Sequence, residues 1–148
     1  MAQRGPATLQ VEIVSAEEAI FSGTAELVSA TAELGEVGIA PGHAPLLTRI
    51  RAGEVRVTTP SGQDDLDIYV SGGILEVQPY QVTILADATM RGGDIDEAAA
   101  EKARDEATAA LLGAKPGDEI DYEAVQKSLA EASAQLQLAK KLRRTGGN

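Results

Sequence analysis

The sequence contains no cysteine and no tryptophan, one histidine, and four aromatic residues: Phe21, Tyr69, Tyr80 and Tyr122. Without cysteine there is no disulfide framework, thiolate nucleophile or Cys-ligated zinc, and the redox compartment is left open. With so few aromatics, a core must be built from Val, Ile, Leu and Ala. A single imidazole, His43, leaves no second one for a His-rich metal site or a relay, and its setting, Pro41-Gly42-His43-Ala44-Pro45, reads as a rigid surface turn. No run approaches the roughly 18 apolar residues of a membrane span. The first residues, Met1 to Pro6, lack the apolar stretch of a signal peptide. The expectation is a soluble, cytosolic chain that is able to sit on a membrane complex.

Catalytic signatures are missing as well. There is no Gly-x-x-x-x-Gly-Lys-Ser/Thr phosphate loop, and Gly72-Gly73 precedes an apolar strand instead of a helix. Ser71 lacks a Gly-x-Ser-x-Gly setting. The carboxylate pairs Glu17-Glu18 and Asp64-Asp65 are adjacent, so in strands they point to opposite faces and make poor shared acid/base sites; both read as solvated loops. An independent enzyme is not expected, and neither is a metal or cofactor.

What is present is an ordinary globular balance. The chain has 148 residues, 43% hydrophobic and 24% charged, enough to bury a core. A formal net charge of −10 argues against a nucleic-acid binder, which needs Lys and Arg for phosphates. The charge is uneven. Residues 1–90 carry 4 basic and 12 acidic groups, whereas 127–148 carry 5 basic groups and only Glu131 as an acid. An acidic body ends in a basic tip.

Leu9, Val11 and Ile13 alternate with Gln10, Glu12 and Val14, the period of a half-buried strand. Further β-rich runs cover Ala25–Ala32, Leu46–Ile50, Glu54–Thr59, Leu66–Val70, Ile74–Gln78 and Gln81–Ala86. Turn signals separate them at Gly23, Gly35, Gly38, Pro41-Gly42, Ala52-Gly53, Pro60-Ser61-Gly62, Gly72-Gly73 and Pro79. This spacing predicts an N-terminal antiparallel β-sandwich or barrel over residues 1–90.

From Arg91-Gly92-Gly93 onward the pattern changes, and residues 91–148 are expected to form an antiparallel two-helix hairpin. Asp94 is the expected N-cap, with Glu97 three residues on as in a capping box. Ala, Glu, Lys, Arg and Leu dominate from Ile95 to Leu112. Gly113 and Lys115-Pro116-Gly117-Asp118 end this helix, and a second one is expected from Asp121 to about Leu142. Tyr122, Val125, Leu129, Ala132, Leu136 and Ala139 form an a/d-type seam. Ala99, Ala103, Ala107 and Ala110 are expected to face it. Alanines bury little, each about 2 kcal/mol less than a leucine at about 0.8 kcal/mol per CH₂, so the hairpin reads as weakly held. A permanently docked pair and a mobile one both fit this pattern. The tail Thr145–Asn148 is expected to be disordered.

Several runs carry a resemblance: Val14-Ser15-Ala16-Glu17, Phe21-Ser22-Gly23, Gly35-Glu36-Val37-Gly38-Ile39, Pro41-Gly42-His43-Ala44-Pro45-Leu46-Leu47-Thr48, Val70-Ser71-Gly72-Gly73-Ile74-Leu75-Glu76-Val77-Gln78-Pro79 and Val82-Thr83-Ile84-Leu85-Ala86-Asp87. In this order they resemble the epsilon subunit family of bacterial F-type ATP synthases. The likeness covers most of residues 9–96, and the helices match more loosely, best from Gly117-Asp118 to Asp121-Tyr122. It implies a flattened sandwich followed by two helices. It also implies a non-catalytic central-stalk subunit at the cytoplasmic face of the bacterial plasma membrane, held there peripherally. The sandwich would bind the gamma shaft and rest on the c-ring, with Glu36 and His43 as contact candidates.

The resemblance further implies that the helices regulate. Folded on the sandwich they would permit turnover; extended along gamma they would inhibit ATP hydrolysis, with Lys127, Lys140, Lys141, Arg143 and Arg144 reaching an acidic segment of a catalytic beta subunit. The same residues also suit a solvated basic helix end that complements its own dipole. Some family members bind ATP through Ile/Leu-Asp-x-x-Arg-Ala. Ile95 and Asp96 match here, but Ala99 stands at the arginine position, so ATP binding is expected to be weak or absent. That departure also weighs against the alternative of a free-standing nucleotide-sensing module.

Overall fold

The computed structural model describes residues 7–62 and 65–146. The expectations for Met1–Pro6, Asp64, Gly147 and Asn148 lie outside the described residues. Two compact units divide the chain at Met90/Arg91.

The first unit is a β-sandwich of nine strands: β1 Leu9–Ser15, β2 Ala19–Ala25, β3 Leu27–Ala32, β4 Gly35–Ile39, β5 Leu46–Thr58, β6 Leu66–Val70, β7 Gly73–Gln78, β8 Gln81–Ala86 and β9 Thr89–Arg91. One layer runs β2-β1-β8-β7 and continues into the first half of β5, through the pairs Leu46↔Val77 to Ile50↔Gly73. The second half of β5 pairs with β6 on one side and β3 on the other, and β4 and β9 complete that layer. The 13-residue β5 therefore belongs to both layers. Alternate residues of β1, β3, β5, β7 and β8 point inward: Leu9, Val11 and Ile13 of β1, Val55 and Val57 of β5, and Val82 and Ile84 of β8 are all buried to 1% exposure or less. Period-two burial of aliphatic side chains is what holds this unit together.

Four local expectations are corrected. Gly23 and Gly38 lie within strands, where the ladders β1–β2 and β3–β4 supply their backbone pairing, whereas Gly35, at φ +131° and paired with Ala32, closes the β3–β4 turn as expected. Ala52-Gly53 is no turn: β5 passes straight through it, and a Cβ on Gly53 would lie 2.6 Å from Thr31 Oγ1, so close strand approach explains the glycine. The sheet is not wholly antiparallel: β1 and β8 run parallel from Gln10↔Gln81 to Ser15↔Ala86. Asp65 is also more than a solvated loop residue, because its Oδ1 accepts from the Thr59 backbone N–H at 2.8 Å and from Thr59 Oγ1 at 3.1 Å.

The second unit is an αα-hairpin preceded by a 3-10 turn, Gly92–Asp94. Helix α1 spans Glu97–Leu112 and α2 spans Tyr122–Thr145. The first cap is Asp96 and not Asp94, since Asp94 is taken up by the 3-10 turn; Asp96 Oδ1 accepts from Ala99 N–H at 3.1 Å. Asp121 caps α2 in the same way, accepting from Ala124 N–H at 3.1 Å. Asp121→Ala should cost the hairpin about 1 kcal/mol, seen as faster amide exchange in the first turn of α2. Unchanged exchange there would remove the cap from the account. Helix α2 runs past Leu142: Thr145 Oγ1 donates to the Lys141 carbonyl and Gly146 N–H to that of Leu142, so Thr145 is helical, contrary to the expected disorder.

The seam is realised unevenly. Ala132 and Leu136 are buried, Val125 and Leu129 partly so, and Tyr122 remains 50% exposed. Ala134 and Leu138, outside the predicted seam, are buried too. On α1, Ala100 and Ala107 are buried and Glu97, Arg104 and Leu111 partly so, while Ala99, Ala103 and Ala110 are exposed. An open groove of about 310 Å³ runs between Ala103, Ala107 and Ala110 of α1 and Ala124, Val125 and Ser128 of α2. Methyl groups at helix-pair distance leave such a gap.

Candidate functional site

The β4–β5 connection is a preordered loop. Gly42, at φ +86°, donates its N–H to the Pro79 carbonyl at 2.6 Å, and His43 N–H donates to Ala40 at 3.1 Å. The His43 ring sits 2.7 Å from the Ala44 carbonyl through Nδ1. A carbonyl only accepts, so Nδ1 carries the proton and, in the neutral ring, Nε2 is left as an acceptor. Glu36 projects from β4 opposite Thr31 and is exposed, next to a β3–β4 turn whose Leu34 is wholly exposed. No hydrogen bond or ion pair joins Glu36 to His43 among the described residues. They are separate contact candidates, joined by no interaction among the described residues.

An apolar row that the sequence reading overlooked lies on the outer face of the β1–β8–β7–β5 layer. The pairs Val14↔Leu85, Leu85↔Ile74 and Ile74↔Arg49 place Val14, Leu85 and Ile74 side by side. Leu85 is 51% and Ile74 45% exposed, and Leu47 in the neighbouring row is 71% exposed. A contiguous apolar row on an outer sheet face is a surface suited to a protein partner. The signal was available: Ile74-Leu75 and Ile84-Leu85 are apolar at both inward and outward positions, which breaks strand alternation.

The five basic candidates of α2 do not form one patch. Lys127 lies about 20 Å along the helix axis from Lys140, at 1.5 Å per residue. Lys127 pairs with Glu131 at 4.0 Å, one turn on. Arg143 Nη2 lies 2.9 Å from Glu97 Oε1 on α1. Lys140 and Lys141 are partly buried, and Arg144 is exposed. Of the degenerate nucleotide motif, Asp96 is occupied as a helix cap, Ala99 offers only its backbone N–H to that cap, and Ile95 lines a groove at the other end of the hairpin. No group of three or more potential metal ligands occurs among the described residues.

Comparison with known proteins places these features in context. Residues 8–92 match the family model of the ATP synthase delta/epsilon chain beta-sandwich domain, and residues 94–140 that of its long alpha-helix domain. The chain is 57% identical over 138 residues to the ATP synthase epsilon chain of Xanthomonas campestris pv. campestris, covering 93% of this chain and 96% of that one. It is 54% identical over 137 residues to the ATP synthase epsilon chain of Halorhodospira halophila, with the same coverage. Among solved structures, a chain of the Euglena gracilis mitochondrial ATP synthase (OSCP/F1/c-ring) superposes with a TM-score of 0.79 at 21% identity, over 94% of this chain and 86% of that one. A chain of the Tetrahymena thermophila mitochondrial ATP synthase central stalk and c-ring gives 0.53 at 13% identity, over 90% and 94%. At these identities the two structures speak for the fold.

Proposed function

The chain belongs to the ATP synthase delta/epsilon chain family, and on that premise we propose that it joins the gamma shaft to the c-ring of a bacterial, proton-translocating ATP synthase and restrains ATP hydrolysis through its C-terminal helices. The observation that carries this reading is the succession of both family domains along residues 8–92 and 94–140. The subunit itself is non-catalytic.

The sandwich is the coupling part of this proposal. Its apolar row Val14–Leu85–Ile74 suits a dry, packed contact with gamma. The loop holding His43 and the strand holding Glu36 suit the c-ring, because a loop already tied by Gly42 and Pro79 loses little freedom on binding. Its seat is then peripheral, at the cytoplasmic membrane face. Among the described residues, no helix is long and apolar enough to cross a membrane.

The helices are the regulatory part. Exposed ion pairs contribute about 0.2–1 kcal/mol each, while moving a population from 1:99 to 99:1 takes about 5.5 kcal/mol. Lys140, Lys141, Arg143 and Arg144 acting on an acidic beta segment therefore need help from apolar surface. Tyr122, Val125 and Leu129, which the hairpin covers only in part, supply it if they repack on gamma. Nucleotide sensing finds little support, since Asp96 is already engaged and Ala99 lacks a charged donor.

The test compares ATP hydrolysis by the catalytic head reconstituted with the full chain or with a chain ending at Met90. Severalfold faster hydrolysis with the shorter chain, at equal occupancy, is the expected result. Equal rates would leave the helices without an inhibitory role.

A further inference from the structure

We infer that the Glu97–Arg143 pair is an electrostatic clasp that holds the open end of the hairpin shut and keeps Arg143 from engaging an acidic partner. The regulatory consequence rests on the inhibitory reading above; the clasp itself does not.

The hairpin is joined covalently only at its Gly113–Asp121 connection, so its other end, where α1 begins and α2 finishes, must be closed by side chains. Few are available there. An open groove of about 400 Å³ lies between the two helices, walled by Gly92 and Gly93, with Ile95, Ala139 and Leu142 beside them. Two glycines contribute no side-chain packing, and the alanine-lined groove toward the connection shows that the rest of the interface is also sparse. Across the 400 Å³ groove the Arg143 guanidinium reaches the Glu97 carboxylate at 2.9 Å.

Three circumstances favour this pair over an ordinary surface contact. Glu97 is only 28% exposed, so its carboxylate is partly shielded from water. Glu97 lies in the first turn of α1 and Arg143 in the last turn of α2, so each also complements the dipole of its own helix. Finally, the Arg143 partner lies on the other helix, whereas Lys127 pairs with Glu131 of its own helix. An acidic partner that captures Arg143 must break the clasp, so opening and capture compete for one guanidinium.

The absence of cysteine gives a clean test. Glu101→Cys and Gln137→Cys, both at exposed positions, would carry spin labels in the full chain, and pulsed EPR would read the ratio of open to closed hairpins. Glu97→Gln and Arg143→Gln should each raise that ratio about two- to fivefold, as expected of a moderately exposed pair. The double variant should go no further than either single one, because both remove the same interaction. Arg144→Gln should leave the ratio unchanged, and a nonadditive loss of helicity in place of opening would read the same coupling. Wild-type distances in both singles, or strictly additive effects, would overturn the clasp. Hydrolysis by the reconstituted head separates the two claims. With the clasp real and the tip inhibitory, Glu97→Gln slows hydrolysis while Arg143→Gln does not. Opening without any change in hydrolysis would keep the clasp and discard the inhibitory reading.

Discussion

Gly73→Ala should be among the most damaging single-methyl changes in the sandwich, costing about 2–6 kcal/mol. Two effects combine. Gly73 holds φ +146°, which L side chains rarely adopt, and such conformations cost about 1–3 kcal/mol. A Cβ there would also lie 2.1 Å from the Leu85 carbonyl oxygen and 2.9 Å from the Ala86 Cα. Backbone cannot swing aside as a side chain does, and overpacking adds about 1–3 kcal/mol more. Gly62→Ala is the control: its φ is +67° with nothing within 4 Å of the added methyl, so only the conformational cost of about 1–2 kcal/mol remains. Urea unfolding followed by β-sheet circular dichroism measures both. If Gly73→Ala proves no worse than Gly62→Ala, the β7–β8 approach is looser than described.

The second large effect separates two neighbours on one strand. Ile84 is fully buried in the sandwich core and Leu85, next to it, is 51% exposed on the opposite face. Ile84→Ala should lose about 2–5 kcal/mol through transfer and cavity terms. Leu85→Ala should change stability by no more than about 0.5 kcal/mol, yet weaken assembly with gamma, since the row it shares with Ile74 and Val14 is the proposed contact. Calorimetric melting and binding to isolated gamma would report the two halves independently. A stable Leu85→Ala chain that binds gamma as tightly as the wild type would remove that row from the interface.

Strands bounded by clear turn residues were the most readable elements. Leu66–Val70 and Gln81–Ala86 were expected with the bounds the structure has, because each is an aliphatic run flanked by turn residues. The helical hairpin was equally plain from its composition. Errors clustered at glycine. Gly23, Gly38 and Gly53 look like breaks in a linear reading, and whether a glycine bends the chain or admits a neighbouring strand depends on what lies across from it. The N-cap was misplaced by two residues for a similar reason: Asp94 and Asp96 are chemically alike, and the choice fell to the 3-10 turn that consumes the first. Leu85 and Ile74 do not stand out in their runs, since outward and inward apolar residues differ only in register.

Period-two and helical patterning, together with the family runs from Val14 to Asp87, were enough to establish the class of fold and the kind of machine the chain serves. Those signals are local or cumulative along the chain, so a linear string carries them. Other features exist only once distant segments meet. The parallel pairing of β1 with β8 joins strands separated by most of the sandwich sequence. The apolar row needs three strands in register, and the Glu97–Arg143 contact needs two helices to return on each other across a groove. No periodicity encodes such pairings, because they are set by which arrangement of the whole chain removes most apolar surface from water with least strain.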